Sequence, residues 1–207
     1  MLSEFRDDPI ANPLPTSSGR VEIYCETIAG FGLEDNPGHP MWREPDEWLG
    51  CELAKKYPLH LITHQPNRRL HSQLDHSKYS AKGKIKGREP CRVHPDDAKT
   101  RNISEGDLVR IFNDRGSCLS AVQLDAGIRR GVLMIATGAW YDPDWESDIN
   151  CCKHGNPNTL TADIPTSKPG QGPSAMTCLV EIERAKGEVS EVTAFDPPPI
   201  KQALSNE

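Results

Sequence analysis

Residues 64–76 read HQPNRRLHSQLDH, which puts three histidines, two arginines, two glutamines and a serine into one short polar run. A fold seldom needs so many donors together, because buried polar groups must each find a partner and exposed ones contribute little to stability. The run therefore reads either as a solvated loop or as a cradle for a ligand rich in hydrogen-bonding atoms. A second polar region, GAWYDPDWESDINCCKHGNPNTLTADIPTSKPGQGPSAMTC, covers residues 138–178 without sustained periodicity. That is long for a structureless loop in a compact domain, and Trp140, Tyr141 and Trp145 supply apolar surface that linkers lack.

The residue types favour binding over catalysis by side chains. Ser72 lies beside His71 and Asp75, but neighbours in one short segment seldom meet in triad geometry, and no GxSxG elbow exists. Neither a Walker phosphate loop nor a GxGxxG after a strand is present. The acidic pairs Asp96/Asp97 and Asp142/Asp144 suit helix starts or solvated faces. Cys151, Cys152 and His154 have no second ligand pair at zinc-finger spacing, so no metal site is assigned. What remains suits a polar heterocycle carrying a pyrophosphate. The amides of Asn156, Asn158 and Gln171 each offer a donor and an acceptor, as a guanine or pterin edge requires. Ser72, backbone amides and Arg68 or Arg69 suit a diphosphate.

The elements around these regions are mostly strands. RVEIYCE, at 20–26, alternates Val21, Ile23 and Cys25 with polar neighbours and predicts an early strand. Residues 29–45 are broken by Gly and Pro into loop, and a short helix is expected near DEWLGCELAKKY, ended by Pro58. LHLIT is a strand that delivers the chain to His64. Pro95, with Asp96 and Asp97 in its first turn, opens a short helix ending near Asn102. GDLVRIFND, a turn through NDRG and SCLSAVQL make a hairpin, followed by strands at GVLMIATG and TCLVEIER. SAKGKIKG reads as an exposed basic stretch. The tail after Arg184 is charged, then Pro-rich, and wraps or dangles. The expected fold class is mainly β with short helices, in a compact barrel.

The 207 residues suit one domain with extensions. A formal charge of −6 excludes the broad basic face that a nucleic-acid or anionic-membrane binder needs. No stretch approaches the ~20 apolar residues of a membrane span, and MLSEFRDDPIANPLP lacks a signal-peptide pattern, so the chain as written is expected to be cytoplasmic. Seven cysteines without CxxC predict free, mostly buried thiols.

HLITHQPNRRLHSQLD, GREPCRVHPDDAKTRNISEGDLVRIFNDRG, GAWYDP and HGNPNTLTADIPTSKPGQGPSAMTCLVEIE, in this order, resemble the C-terminal domain of the dimethyl sulfoxide reductase family of molybdenum enzymes. The nearest subgroup is the biotin sulfoxide and trimethylamine N-oxide reductases, and the resemblance covers nearly all of residues 5–185. It implies a double-psi β-barrel over 46–185, an N-terminal extension over 1–45 that resembles the end of a preceding domain, and a tail over 186–207. It further implies two molybdopterin guanine dinucleotides, with molybdenum held mainly by other domains. Cofactor contacts carry over to His64, Arg69, His71, Ser72, Gln73, Asn156, Asn158, Gln171 and Gly172, and no catalytic residue is carried over. Gln65 and the SKPGQGPS stretch depart from the pattern. Family enzymes are several times longer, and the resemblance leaves a periplasmic location open for the full-length parent; the expected partners are the remaining domains or subunits, and an S-oxide or N-oxide substrate in the complete enzyme. Alone, the chain is expected to be inactive. A barrel of this kind also serves as a non-catalytic interaction or assembly module, because one fold hosts many functions.

Overall fold

The computed structural model describes residues 2–145, 151–174 and 176–197. The chain divides into two compact units, Met1–Glu44 with Pro165–Pro173, and Pro45–Ile164 with Ser174–Glu207. In the first, short helices α1 (Ser3–Asp7) and α2 (Glu26–Ala29) are joined by turns. The strand expected at 20–26 does not form. Val21, Ile23 and Tyr24 are exposed, and Cys25 donates its amide to Gly38 O at 2.7 Å instead of entering a ladder. Alternation alone made no strand there, because a strand without a paired neighbour leaves its backbone groups unsatisfied.

The second unit is a barrel of β1 (Leu59–His64), β2 (Pro90–Val93), β3 (Leu108–Phe112), β4 (Ser117–Leu124), β5 (Val132–Ala136) and β7 (Leu179–Arg184), with β6 (Cys151–Cys152) beside β4. The order β2-β5-β1-β7-β3-β4-β6 closes through an additional β2–β4 pairing, so six strands form a ring without free edges. β1 runs parallel to β5, from His60↔Val132 to His64↔Ala136, and β2 parallel to β4, from Pro90↔Ala121 to Val93↔Leu124; the other contacts within the ring are antiparallel. The elements predicted a compact barrel, and this is the double-psi form of it that the family resemblance implied.

Period-2 patterning fills the ring. Leu59 and Leu61, Cys91 and Val93, Val109 and Ile111, Leu133 and Ile135, and Val180 and Ile182 are fully buried or nearly so, and pack in one cluster. Each such Leu, Ile or Val contributes roughly 1.5–3 kcal/mol by leaving water. His60, Ile62 and His64 alternate to the other face of β1 and are only partly buried. α3 (Pro95–Lys99) starts as expected, with Pro95 in its first turn and His94 as the cap, its ring nitrogen accepting from Asp96 N at 3.1 Å. The helix expected near residues 46–57 is reduced to a 3-10 turn at Glu52–Lys55. The cysteines of the described residues are free, and Cys91, Cys118, Cys151, Cys152 and Cys178 are buried. The tail wraps: it is held along the barrel unit to Phe195 by bonds detailed below. Among the described residues, no helix is long and apolar enough to cross a membrane, and no cluster of His, Cys, Asp or Glu is arranged to hold a metal ion.

Candidate cofactor site

Because β1 and β5 are parallel neighbours, their C-terminal ends deliver two loops to one place. Thr137 N donates to His64 O at 2.9 Å, after which residues 64–76 and 137–141 run on side by side. They cross closely at Gly138. Its φ is +83°, and a Cβ there would lie 2.1 Å from His71 O and 2.8 Å from Ser72 N. Only glycine combines that backbone angle with that approach. His71 (φ 51°) and Leu74 (φ 60°) are also left-handed, a conformation that costs non-glycine residues about 1–2 kcal/mol each. Strain of this kind persists where surrounding contacts over-determine the loop.

Those contacts come from a buried ion network. The Arg69 side chain is almost wholly buried and donates from Nε to His71 O at 3.1 Å, from one terminal nitrogen to Glu89 at 2.9 Å, and from the other to Thr137 O at 2.8 Å. Asp75 is completely buried. It accepts from Lys84 Nζ at 2.8 Å, from the Ser80 hydroxyl at 3.2 Å and from Trp140 N at 2.9 Å, with Arg69 Nε at 3.4 Å. Lys84 also reaches Glu89 at 3.2 Å, so two cations and two carboxylates neutralise each other away from water. Burial alone would raise the pKa of Asp75, but the hydrogen bonds from Lys84 and Trp140 N and the charges of Lys84 and Arg69 prevail and hold it below the ordinary value. His154, also fully buried, bonds through Nδ1 to Trp140 O at 3.0 Å, and burial followed by the Lys84 charge pushes its pKa down. Nδ1 must then carry the proton, since a carbonyl only accepts.

Two open clefts flank the His64–His76 segment. The first, about 610 Å³, is lined by His71, Ser72, Thr137, Gly138, Trp140, Tyr141, Asn156 and Asn158, among others. The second, about 530 Å³, includes His64, Asn67, Arg68, Arg69, Lys82, Lys84, Arg92 and Asp125. The structure thus brings His71, Ser72, Asn156 and Asn158 together, and places His64 and Arg69 on the second cleft. Gln73, within the 64–76 loop, is exposed, and its backbone N–H donates to Leu70 O. Asn156 is partly committed, since its Oδ1 accepts from Asn158 N at 2.9 Å and caps the 3-10 turn Pro157–Thr159. Gln171, with φ 44°, and Gly172 belong to the first unit, where the Gln171 amide nitrogen donates to Lys168 O at 2.6 Å. The SAKGKIKG stretch is not simply solvated: Lys82 and Gly83 line the second cleft, and Lys84 is buried in the ion network.

A family profile described as "Molydopterin dinucleotide binding domain" matches residues 59–179. The chain belongs to this family. The domain is 44% identical over 197 residues to trimethylamine-N-oxide reductase of Haemophilus influenzae, and 44% identical over 197 residues to dimethyl sulfoxide/trimethylamine N-oxide reductase of Rhodobacter capsulatus. It is 46% identical over 190 residues to biotin sulfoxide reductase of Cereibacter sphaeroides. These alignments take in 92–95% of the chain but only 24–25% of the relatives, so the domain spans about a quarter of the length of the curated proteins it matches. Acetylene hydratase from Pelobacter acetylenicus shares the fold with a TM-score of 0.68 at 20% identity, covering 86% of this chain and 25% of that one.

The residues present fit such a cofactor on three counts. Thr137 is one of the residues lining the first cleft, and its hydroxyl oxygen is buried without a hydrogen-bond partner. A Cβ at Gly138 would meet the loop that forms the same wall. The side chains there are neutral donors and acceptors, as a heterocycle edge needs. Sequence reasoning missed Thr137, Lys84 and Glu89. Nothing local marks them, since Lys84 and Glu89 meet Arg69 and Asp75 only once β2 has paired.

Proposed function

We propose that this chain is the molybdopterin guanine dinucleotide-binding domain of a molybdenum oxidoreductase that reduces S-oxides or N-oxides, and that it is not catalytic alone. The observation that carries the reading is the first cleft, where a strained loop is held by a fully buried ion network and leaves the Thr137 hydroxyl unpaired. A loop that only connected two strands would not need that expense. His71, Ser72, Thr137, Asn156 and Asn158 would hold one dinucleotide through neutral hydrogen bonds; His64, Gln73, Arg68 and Arg92 would serve the second, with the cations nearest its diphosphate. Arg69 acts from behind, as the staple of the loop. Gln171 and Gly172 are proposed as cofactor contacts on the family resemblance. When bound, the cofactor and its molybdenum supply the two-electron redox chemistry that no side chain here offers. The chain's own part is to bind, orient and shield the cofactor. Molybdenum would be held mainly by further domains or subunits, which are the partners this reading requires.

Titration calorimetry of the 207-residue chain with GDP, and with pterin guanine dinucleotide released from an intact molybdenum enzyme, tests this. Affinity of roughly 0.1–1 mM is expected, because a ligand shared between domains loses contact area while its immobilisation cost stays nearly constant. Asn158→Ala should weaken binding by about 1–2 kcal/mol. Lys55→Ala, on the exposed 3-10 turn, should change nothing. Sulfoxide reduction by the isolated chain, or equal losses in both variants, would refute the reading; no binding at all would favour an assembly module.

A further inference from the structure

The C-terminal tail is tied to the barrel unit by groups that are otherwise buried charges. Asp142 is almost fully buried, and its two oxygens accept from Thr193 N and from the Thr193 hydroxyl, each at 2.7 Å. Lys153, also buried, donates to the same hydroxyl at 2.8 Å and lies 3.4 Å from Asp142. The Arg88 guanidinium donates to Ser190 O, and the Ser190 hydroxyl bonds Asp144 at 3.1 Å. Thr193 thus adds two hydrogen bonds to Asp142 and one to Lys153, and completes this buried acid–base pair.

Two residues on, Phe195 enters an aromatic cluster. Its ring centroid is 4.9 Å from that of His154 at 87°, 5.4 Å from Trp140 at 70°, and 6.5 Å from His76 at 64°, all edge-to-face arrangements. Lys84 Nζ stands 5.9 Å from the Phe195 ring. Trp140 is the member of this cluster that lines the first cleft. Its indole N–H donates to Ser72 O at 2.7 Å, and its ring lies 5.3 Å from that of His76. Trp140 is 37% exposed, and its indole is held by the Ser72 carbonyl and by the rings of Phe195 and His76.

We propose that the tail from Ser190 to Phe195 is a working part of the cofactor site, in which Phe195 is a positioning residue that holds Trp140, and through it Ser72, in place on the cleft wall. The matched family region ends at residue 179, so this wall is braced from outside it. The inference rests on the cofactor reading of the first cleft. Its logic is preorganisation: a wall side chain fixed before binding loses no rotamer freedom when the ligand arrives.

The test is a double-mutant cycle on the 207-residue chain, with pterin guanine dinucleotide and GDP as titrants. Phe195→Ala should weaken dinucleotide binding about five- to tenfold, the size of a lost aromatic pair. Trp140→Ala should do at least as much, and the double variant no more than Trp140→Ala alone, because Phe195 acts only through Trp140. Phe195→Trp should restore affinity. Thr193→Val, which removes the hydroxyl's bonds to Asp142 and Lys153 but deletes no ring, should loosen the tail and give a smaller loss in the same direction, and serves if Phe195→Ala does not fold. An effect on the dinucleotide without one on GDP still supports the proposal and puts the pterin end against Trp140. Wild-type affinity in folded Phe195→Ala, or additive losses in the double variant, overturns it while leaving the cofactor reading standing. Failure of the wild-type chain to bind either titrant overturns both.

Discussion

Replacing Gly138 with alanine tests whether the crossing of the two loops is as tight as the geometry indicates. The new Cβ would lie 2.1 Å from His71 O and 2.3 Å from His71 C, both backbone atoms that no rotamer change can move aside. Two costs add. A φ of +83° costs a non-glycine residue about 1–2 kcal/mol, and forced overpacking costs typically about 1–3 kcal/mol. Together the loop faces roughly 2–5 kcal/mol, enough to displace residues 71–72 from the wall of the first cleft. Gly106→Ala separates the terms: its φ is +75° and nothing lies within 4 Å of the added methyl, so it should lose only the backbone part. Urea unfolding of both variants and calorimetric titration with the pterin dinucleotide form the assay. Gly138→Ala should lower the urea midpoint more than Gly106→Ala, and weaken binding at least tenfold where Gly106→Ala leaves it unchanged. Equal midpoints and equal affinities would show that the crossing has slack, and would remove the steric basis of the site.

Asp75→Asn leaves Lys84 and Arg69 buried with one carboxylate between them, and should cost about 3–5 kcal/mol in urea unfolding. Since the folded pKa of Asp75 is depressed, its contribution is present above the ordinary carboxylate value near 3.8 and is lost as pH falls below it; unfolding midpoints against pH should lose that slope in the variant. His154 is also depressed, so the unfolded chain binds its proton first, and stability should decline as pH drops through about 6.5 and further below. His154→Gln should flatten that decline; an unchanged profile would refute the assignment of a neutral buried imidazole. Alkylation of the native chain without reductant should label Cys25 and Cys51 and spare the five buried thiols, of which Cys91 and Cys178 are pushed by burial up to about 11; all seven should react in urea.

The barrel was legible where alternation met turn chemistry. LHLIT and GDLVRIFND carry an apolar alternation, SCLSAVQL, GVLMIATG and TCLVEIER carry short, more continuous apolar runs, and each is a strand. The same pattern failed at RVEIYCE, because a pattern reports which face could be buried and not whether a partner exists to bury it. β2 and β6, at four and two residues, are too short to show a period at all. The polar residues of the first cleft stood out by density. The network behind them did not, since its charges come from two separate segments, 69–75 and 84–89, whose adjacency only the β1–β5 and β2–β5 pairings create. The anchoring of the tail was invisible for the same reason, as Thr193 and Phe195 are unremarkable in a charged, Pro-rich segment.

β7 sits between β1 and β3, and pairs with both. The strand that locks the ring is therefore the last to leave the ribosome, while β1, one of its neighbours, is the first of the ring to emerge. Until residue 184 is free, β1 has an open edge, and the loop that β1 launches cannot be held at its final spacing. Non-local closure of this kind is slow, because chain entropy is spent before any contact repays it. Completion of the cofactor site therefore waits on β7: until that strand has paired with β1 and β3, the nascent domain has strands to protect but no closed ring to hold the loop.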